Sequence, residues 1–252
     1  MMMQQRVAMA NASQIERLVL ADQEAAARRA AEWLLERALA VEGPPAFCLS
    51  GGLTPRMLYA MLAQEPFRDR FPWKRAHWFF GDERLVPPDN ERSNYRMVRE
   101  TLFDHVPIPA AHIHRVPTEL GNAVAVAAAY EADLKAFYGA PVLAGERSLF
   151  AATLLGVGED GHTASLFPNA PTLEERTRWV VPALGPSNEP RVTLTIPVLE
   201  SGGEVGFLVT GSDKHEILTH IWLDDDLPAA RIQPAGRLRW FVDRAAAGSR
   251  ET

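Results

Sequence analysis

Asp160, Gly161, His162, Thr163 and Ser165 form the densest group of reactive side chains in the sequence, directly after the apolar run Leu154-Leu155-Gly156-Val157. His162 is the one group among them whose ordinary pKa suits proton transfer near neutrality. Three further clusters are built alike: Ser50-Gly51-Gly52-Leu53-Thr54, Gly81-Asp82-Glu83-Arg84 and Gly211-Ser212-Asp213-Lys214. Each follows a short apolar run that reads as a strand. In an open α/β sheet ligands bind just beyond the carboxyl ends of the strands, so residues remote in sequence are expected to meet on one sheet edge.

The Ser50-Gly51-Gly52 turn has the makeup of an anion site. Glycine lets a phosphate approach the backbone, and a following helix offers free N–H groups and a positive dipole end. Thr54 is expected to be the N-cap of that helix, with Pro55 at its first position. Lys214 stands at the start of another helix, where the dipole disfavours a cation; a bound anion or a solvated surface position accounts for it. Arg191 is either a second phosphate clamp, suited by its planar fork, or an edge charge. Arg84 follows two acids, so an ion pair with Asp82 or Glu83 stands beside a role at the site. Other chemistries lack their motifs. No Gly-Lys-Ser/Thr follows the glycine turn, no Gly-x-Gly-x-x-Gly follows a strand, and no Gly-x-Ser-x-Gly elbow occurs. His112 and His114 have no accompanying Cys or Glu ligand pattern, and no metal is expected.

The elements that must carry these clusters alternate. Strands are expected at 17–20, 46–49, 76–80, 112–116, 148–157, 179–181, 191–196, 204–210 and 238–242. Helices are expected from Asp22 as cap over 25–41, from Pro55 through Leu62, from Ser93-Asn94 to Leu102, over 121–137, and from Lys214 to Leu223. The tail from Arg244 is expected to fray. The alternation, with no repeat or linker, implies an α/β fold: one domain over residues 1–252, core about 15–245, around a mostly parallel sheet flanked by helices.

The totals set the class. The chain has 252 residues, 47% hydrophobic and 23% charged, with a formal net charge of -6. No basic stripe suggests nucleic acid, and no apolar run approaches the roughly 18 residues of a membrane span. Residues 1–13 lack the apolar stretch of a signal peptide. Cys48 is the single cysteine; it implies a reducing cytosol and a buried structural thiol rather than a nucleophile.

Taken together, the clusters resemble the 6-phosphogluconolactonase family. The resemblance rests on Ser50-Gly-Gly-Leu-Thr-Pro55, on Phe80-Gly-Asp-Glu-Arg84 with Ser93-Asn94-Tyr95, and on the stretch from Leu155 to Pro168. It continues in Arg191-Val-Thr-Leu-Thr-Ile-Pro197 and in the 211–214 cluster. Leu53 stands where the family usually has Ser. The resemblance implies the fold shared with glucosamine-6-phosphate deaminase, ribose-5-phosphate isomerase and the CoA transferases. It also implies cytoplasmic hydrolysis of a phosphorylated sugar lactone without a cofactor, by a monomer or small homo-oligomer. His162 is then the base, Asp160 its orienting partner or a hydroxyl ligand, and Arg84 the stabiliser of negative charge. Ser50, Gly51, Gly52, Thr54, Asp82, Arg191 and Lys214 hold the substrate. Deaminases share the glycine turn and the Asp-Glu pair, but Arg84 and Thr163-Ala-Ser-Leu-Phe-Pro168 differ from their usual pattern. A sugar-phosphate sensor without turnover is the non-catalytic alternative.

Overall fold

The computed structural model describes residues 15–145, 147–223 and 226–248. The expectations for residues 1–13 and for the last four residues lie outside them. Among the described residues there are ten strands and five longer helices. β1 (Ile15–Leu20) leads to α1 (Gln23–Ala40), then β2 (Ala46–Leu49) to α2 (Leu53–Leu62). β3 (His77–Phe80) and β4 (Asp82–Arg84) precede α3 (Asn94–Thr101), β5 (Ile113–His114) and α4 (Ala123–Tyr138). β6 (Ala152–Leu155), β7 (Val180–Leu184), β8 (Pro190–Leu194) and β9 (Glu204–Val209) follow, then α5 (His215–Trp222) and β10 (Arg237–Asp243).

Seven strands form one sheet in the order β1-β10-β9-β6-β2-β3-β5, and every pairing in it is parallel. β2, β6 and β9 are buried along their whole length. That is why they read as unbroken apolar runs: helices cover both faces. α1 lies on the sheet through a stripe of small side chains, among them Ala26, Ala27, Ala30 and Ala31, and Asp22 caps it by accepting from Ala25 N–H at 2.8 Å. The buried Glu204 is matched rather than stranded. Trp33 Nε1 donates to it at 2.7 Å, and Arg37 and Arg239 pair with it at 3.0 and 3.1 Å.

Four expectations are corrected. α2 begins at Leu53, so Thr54 and Pro55 lie inside its first turn and Thr54 is no N-cap. Gly52 takes the cap position at φ 105°, a conformation that favours glycine. The strand expected over 148–157 is ordered as a strand only at Ala152–Leu155. The tail does not fray at once: Arg244–Ala247 is helical, capped by Asp243. Finally, Asp82–Arg84, expected as the polar cluster beyond a strand end, form a strand of their own. They begin a second, antiparallel sheet, β4-β8-β7.

One residue joins the two sheets. Gly81 N–H donates to Leu49 O in the parallel sheet at 2.9 Å, and Gly81 O accepts from Leu194 N–H beside the antiparallel one at 2.8 Å. At the opposite end of β3, His77, His114 and Asp133 form a chain. His77 Nδ1 lies 3.0 Å from His114 Nε2, and His114 Nδ1 lies 2.9 Å from Asp133 Oδ2. The His112 ring stacks on His77 at 4.0 Å between centroids. Burial, and then the neighbouring His112 and His114, push the His77 pKa down to about 4 against the lesser pull of Asp133. Among the described residues no group of His, Cys, Asp and Glu is arranged to hold a metal, and no helix is long and apolar enough to cross a membrane.

Candidate active site

The ends of β2, β3, β6 and β9 open on one cleft of about 560 Å³. Its size and few convergent polar groups suit a small polar ligand.

On one side lies the turn after β2. The buried Tyr59 fixes it: its hydroxyl donates to Ser50 O at 2.7 Å and accepts from Ser50 N–H at 3.1 Å. Gly51 is pressed against the side chain of Asn94, and a Cβ on it would lie 2.0 Å from Asn94 Oδ1. The first turn of α2 then faces the cleft with Thr54, whose hydroxyl is 3.4 Å from that of Thr210 at the end of β9. Lys214 completes this side, tied only loosely to Asp213 at 3.7 Å. The glycine turn, two hydroxyls and an ammonium thus line the cleft on the side where the sequence leads one to expect an anion.

The opposite wall is built on the second sheet. Glu83 is its hub. One carboxylate accepts from the backbone N–H groups of Arg84, Asn94 and Tyr95, each at 2.8 Å, and from Ser93 Oγ at 3.1 Å. Burial pushes the Glu83 pKa up, and those N–H bonds pull it back only in part. Arg84 is therefore not paired with either preceding acid; its Nη1 donates to Arg92 O at 2.7 Å. Its Nε is buried without a partner. Arg84 and Arg191 are register partners on β4 and β8. Like charges directly opposite are destabilising in an antiparallel pair. Glu189 offsets this, binding Arg191 at 2.7 and 3.0 Å while its other oxygen meets Arg92 at 2.6 Å. Both arginines line the cleft. So does Asp82, 7% exposed, 3.9 Å from Arg191.

Between the walls stands the loop after β6. Asp160 Oδ1 accepts from the backbone N–H of His162 at 3.1 Å and lies 2.5 Å from its Nδ1. Burial raises the Asp160 pKa, but the two bonds from His162 outweigh it and hold the carboxyl below its ordinary value. With Nδ1–H donated to Asp160, Nε2 carries the lone pair. The ring packs on Phe167 at 4.6 Å.

Nine of the ten residues expected at a site line this cleft: Ser50, Gly51, Gly52, Thr54, Asp82, Arg84, His162, Arg191 and Lys214. Asp160 sits behind His162 instead. Arg191 lies 3.9 Å from Asp82 and over the Phe167 ring. Residues not singled out for a role are also present. Asn94 touches both walls, donating to Asp82 O at 3.0 Å, and Ser165 donates to Asp82 Oδ2 at 2.6 Å. Both stand inside motifs that carry the resemblance, Ser93-Asn94-Tyr95 and the stretch from Leu155 to Pro168, but the sequence alone assigns a role to neither.

Residues 21–240 match the family model described as glucosamine-6-phosphate isomerases/6-phosphogluconolactonase. A 6-phosphogluconolactonase of Nostoc sp. is 39% identical over 235 residues, covering 90% of this chain and 95% of its own. The solved 6-phosphogluconolactonase from Trypanosoma cruzi is 30% identical with a TM-score of 0.82, over 94% of this chain and 97% of that one. A monomeric glucosamine-6-phosphate deaminase has the same fold, with a TM-score of 0.78 at 19% identity over 93% of this chain and 100% of that one.

Proposed function

The chain belongs to the glucosamine-6-phosphate isomerase/6-phosphogluconolactonase family, and we propose that it hydrolyses 6-phospho-D-glucono-1,5-lactone to 6-phosphogluconate with His162 as general base. The observation that carries the mechanism is the Asp160–His162 contact. It occupies Nδ1 and turns Nε2 to the role of base, in a cleft that also presents two arginines. The water attacks C1 as Nε2 takes its proton. The carbonyl becomes an alkoxide, stabilised by the Arg84 and Arg191 guanidinium groups. Fixed charge aimed at a developing oxyanion is often the largest catalytic contribution. Collapse breaks the bond from C1 to the ring oxygen. The imidazolium returns its proton to that oxygen, and the new carboxylic acid ionises.

Binding at the far end positions the carbonyl. The 50–54 turn, Thr210 and Lys214 hold the phosphate, and Asp82 accepts a sugar hydroxyl. Remote binding energy of this kind is what makes the attack effectively intramolecular. Arg191 is set here at the reacting end, next to Asp82, instead of at the phosphate. No resident cofactor takes part in these steps. The single buried thiol fits a cytoplasmic enzyme, acting as a monomer or small homo-oligomer.

Turnover of freshly made 6-phosphogluconolactone, corrected for spontaneous hydrolysis, tests the reading beside glucosamine 6-phosphate. Rapid lactone loss without ammonia release is expected. Ammonia from the amino sugar makes the protein a deaminase; binding without turnover of either makes it a sensor.

A further inference from the structure

We propose that Ser165 is a positioning residue for this hydrolysis: its hydroxyl locks the turn that carries His162 to Asp82. The inference rests on the reading of His162 as the base. Ser165 is 0% exposed. A buried serine commonly satisfies its hydroxyl on a backbone carbonyl of its own turn. This one reaches across 83 residues of sequence to Asp82 Oδ2, at 2.6 Å. Its N–H donates to Thr193 Oγ1 at 3.2 Å, and that hydroxyl donates onward to Leu194 O at 3.0 Å. The serine is thus held by the second sheet through its backbone and holds Asp82 through its side chain.

Two features of the turn make the tie consequential. Ala164, between His162 and Ser165, adopts φ 49°, a left-handed conformation that a residue with a Cβ keeps only when its surroundings impose it. Leu166 N–H closes the turn on Thr163 O at 2.9 Å, and Ser165 then fixes the closed turn to the neighbouring wall. The tie also assigns the oxygens of Asp82. Oδ2 is taken by Ser165, whereas Oδ1 meets Asn94 Nδ2 at a long 3.4 Å and is left for a substrate hydroxyl. Without Ser165 the carboxylate is free to turn fully toward Arg191 Nη1, 3.9 Å from Oδ2. Ser165 touches no reacting atom; it sets the distance between the base and the carboxylate that aligns the sugar.

The test is Ser165→Ala, assayed for kcat and KM on the phosphorylated lactone with the melting temperature in parallel. A displacement of the order of 1 Å costs up to about a hundredfold in rate, so kcat should fall by about tenfold to a hundredfold. KM should stay within about twofold, because the phosphate is held at the ends of β2 and β9. In an Asp82→Ala background the same substitution should change kcat by less than about twofold, the tie being already lost. A folded Ser165→Ala enzyme with unchanged kcat overturns the proposal, as does an equal loss in both backgrounds. Should Ser165→Ala not fold, Ser165→Cys keeps the volume and a weaker donor. It should give a smaller drop with the same dependence on Asp82, and its absence has the same force. His162→Asn is assayed alongside. Full turnover there removes the base and this proposal together; lost turnover with an indifferent Ser165 removes this proposal alone.

Discussion

The hydroxyl of Tyr59 both donates to and accepts from the backbone of Ser50, so a single buried side chain on α2 clamps the residue that opens the glycine turn. Tyr130 does the same to Phe80, the last residue of β3, at 2.7 and 3.0 Å. Two of the strand ends that build the cleft are therefore fixed by phenols that never reach it. Tyr59→Phe leaves the amide and carbonyl of Ser50 buried without those partners, which costs about 1–3 kcal/mol for such a group. The expected result is a lower melting temperature and a KM raised several-fold for the phosphorylated lactone, with kcat nearly kept. An unchanged KM would show that the turn holds its shape without the clamp.

His162→Asn keeps a hydrogen-bonding side chain and loses proton transfer. A positioned general base is worth about 10²–10⁴-fold, so turnover of the lactone should fall by at least about a hundredfold. Binding of 6-phosphogluconate, measured by calorimetry, should change little. Near wild-type hydrolysis by the folded variant would sink the mechanism while leaving the family assignment intact.

Lys214→Ala separates the two ends of the cleft. Lys214 follows β9, at whose end Thr210 meets Thr54, whereas Arg84 and Arg191 belong to the second sheet. Its loss should raise KM for the phosphorylated lactone far more than for unphosphorylated gluconolactone. Arg191→Ala should do the reverse in kind, lowering kcat on both substrates. Equal effects of Lys214→Ala on both would remove it from the phosphate.

The histidines at the far end of β3 govern acid stability rather than turnover. The folded His77 value is pushed down to about 4 from an ordinary 6.5. Between those pH values the unfolded chain binds the proton and the folded one resists it, so stability falls as pH drops through that window. His77→Gln costs the contact to His114 at every pH but removes this linkage. Its deficit in melting temperature against wild type, read at pH 7.5, should therefore shrink by pH 4.5. A deficit that is constant or grows would show that His77 does not carry this linkage.

Much of this was legible in the sequence, for a physical reason. A strand covered on both faces is an apolar run, and a ligand-binding edge is where such a run breaks into glycine and polar groups. β2, β6 and β9 show this plainly. Of the second sheet, β7 and β8 were legible as strands, but β4 and the antiparallel pairing that sets all three apart were not. Asp82–Arg84 is a strand of three charged residues, and no periodicity marks it. It is stable there because Glu83 collects N–H groups from α3, a tertiary fact that no local pattern carries. The same holds for Arg84, whose adjacent acids suggested an ion pair, and for Ser165, whose partner is remote in the chain. The cap of α2 was misplaced by one turn chemistry over another: Thr54-Pro55 is a good helix start, but the positive φ of Gly52 ends the preceding turn first.

The junction at Gly81 bears on how this cleft can diversify. β3 and β4 are separated by that one residue, and its N–H and C=O are spent on two different sheets. Surface connections ordinarily absorb insertions, yet here an added residue would shift the register of β4 and carry Arg84 off its place opposite Arg191. The arginine wall has no slack to evolve with. The opposite rim has: Leu53 is 84% exposed and Met57 is exposed beside it at the mouth of the cleft. Changes in the breadth of acceptable sugars should accumulate along that rim of α2, while the reacting end keeps a single geometry.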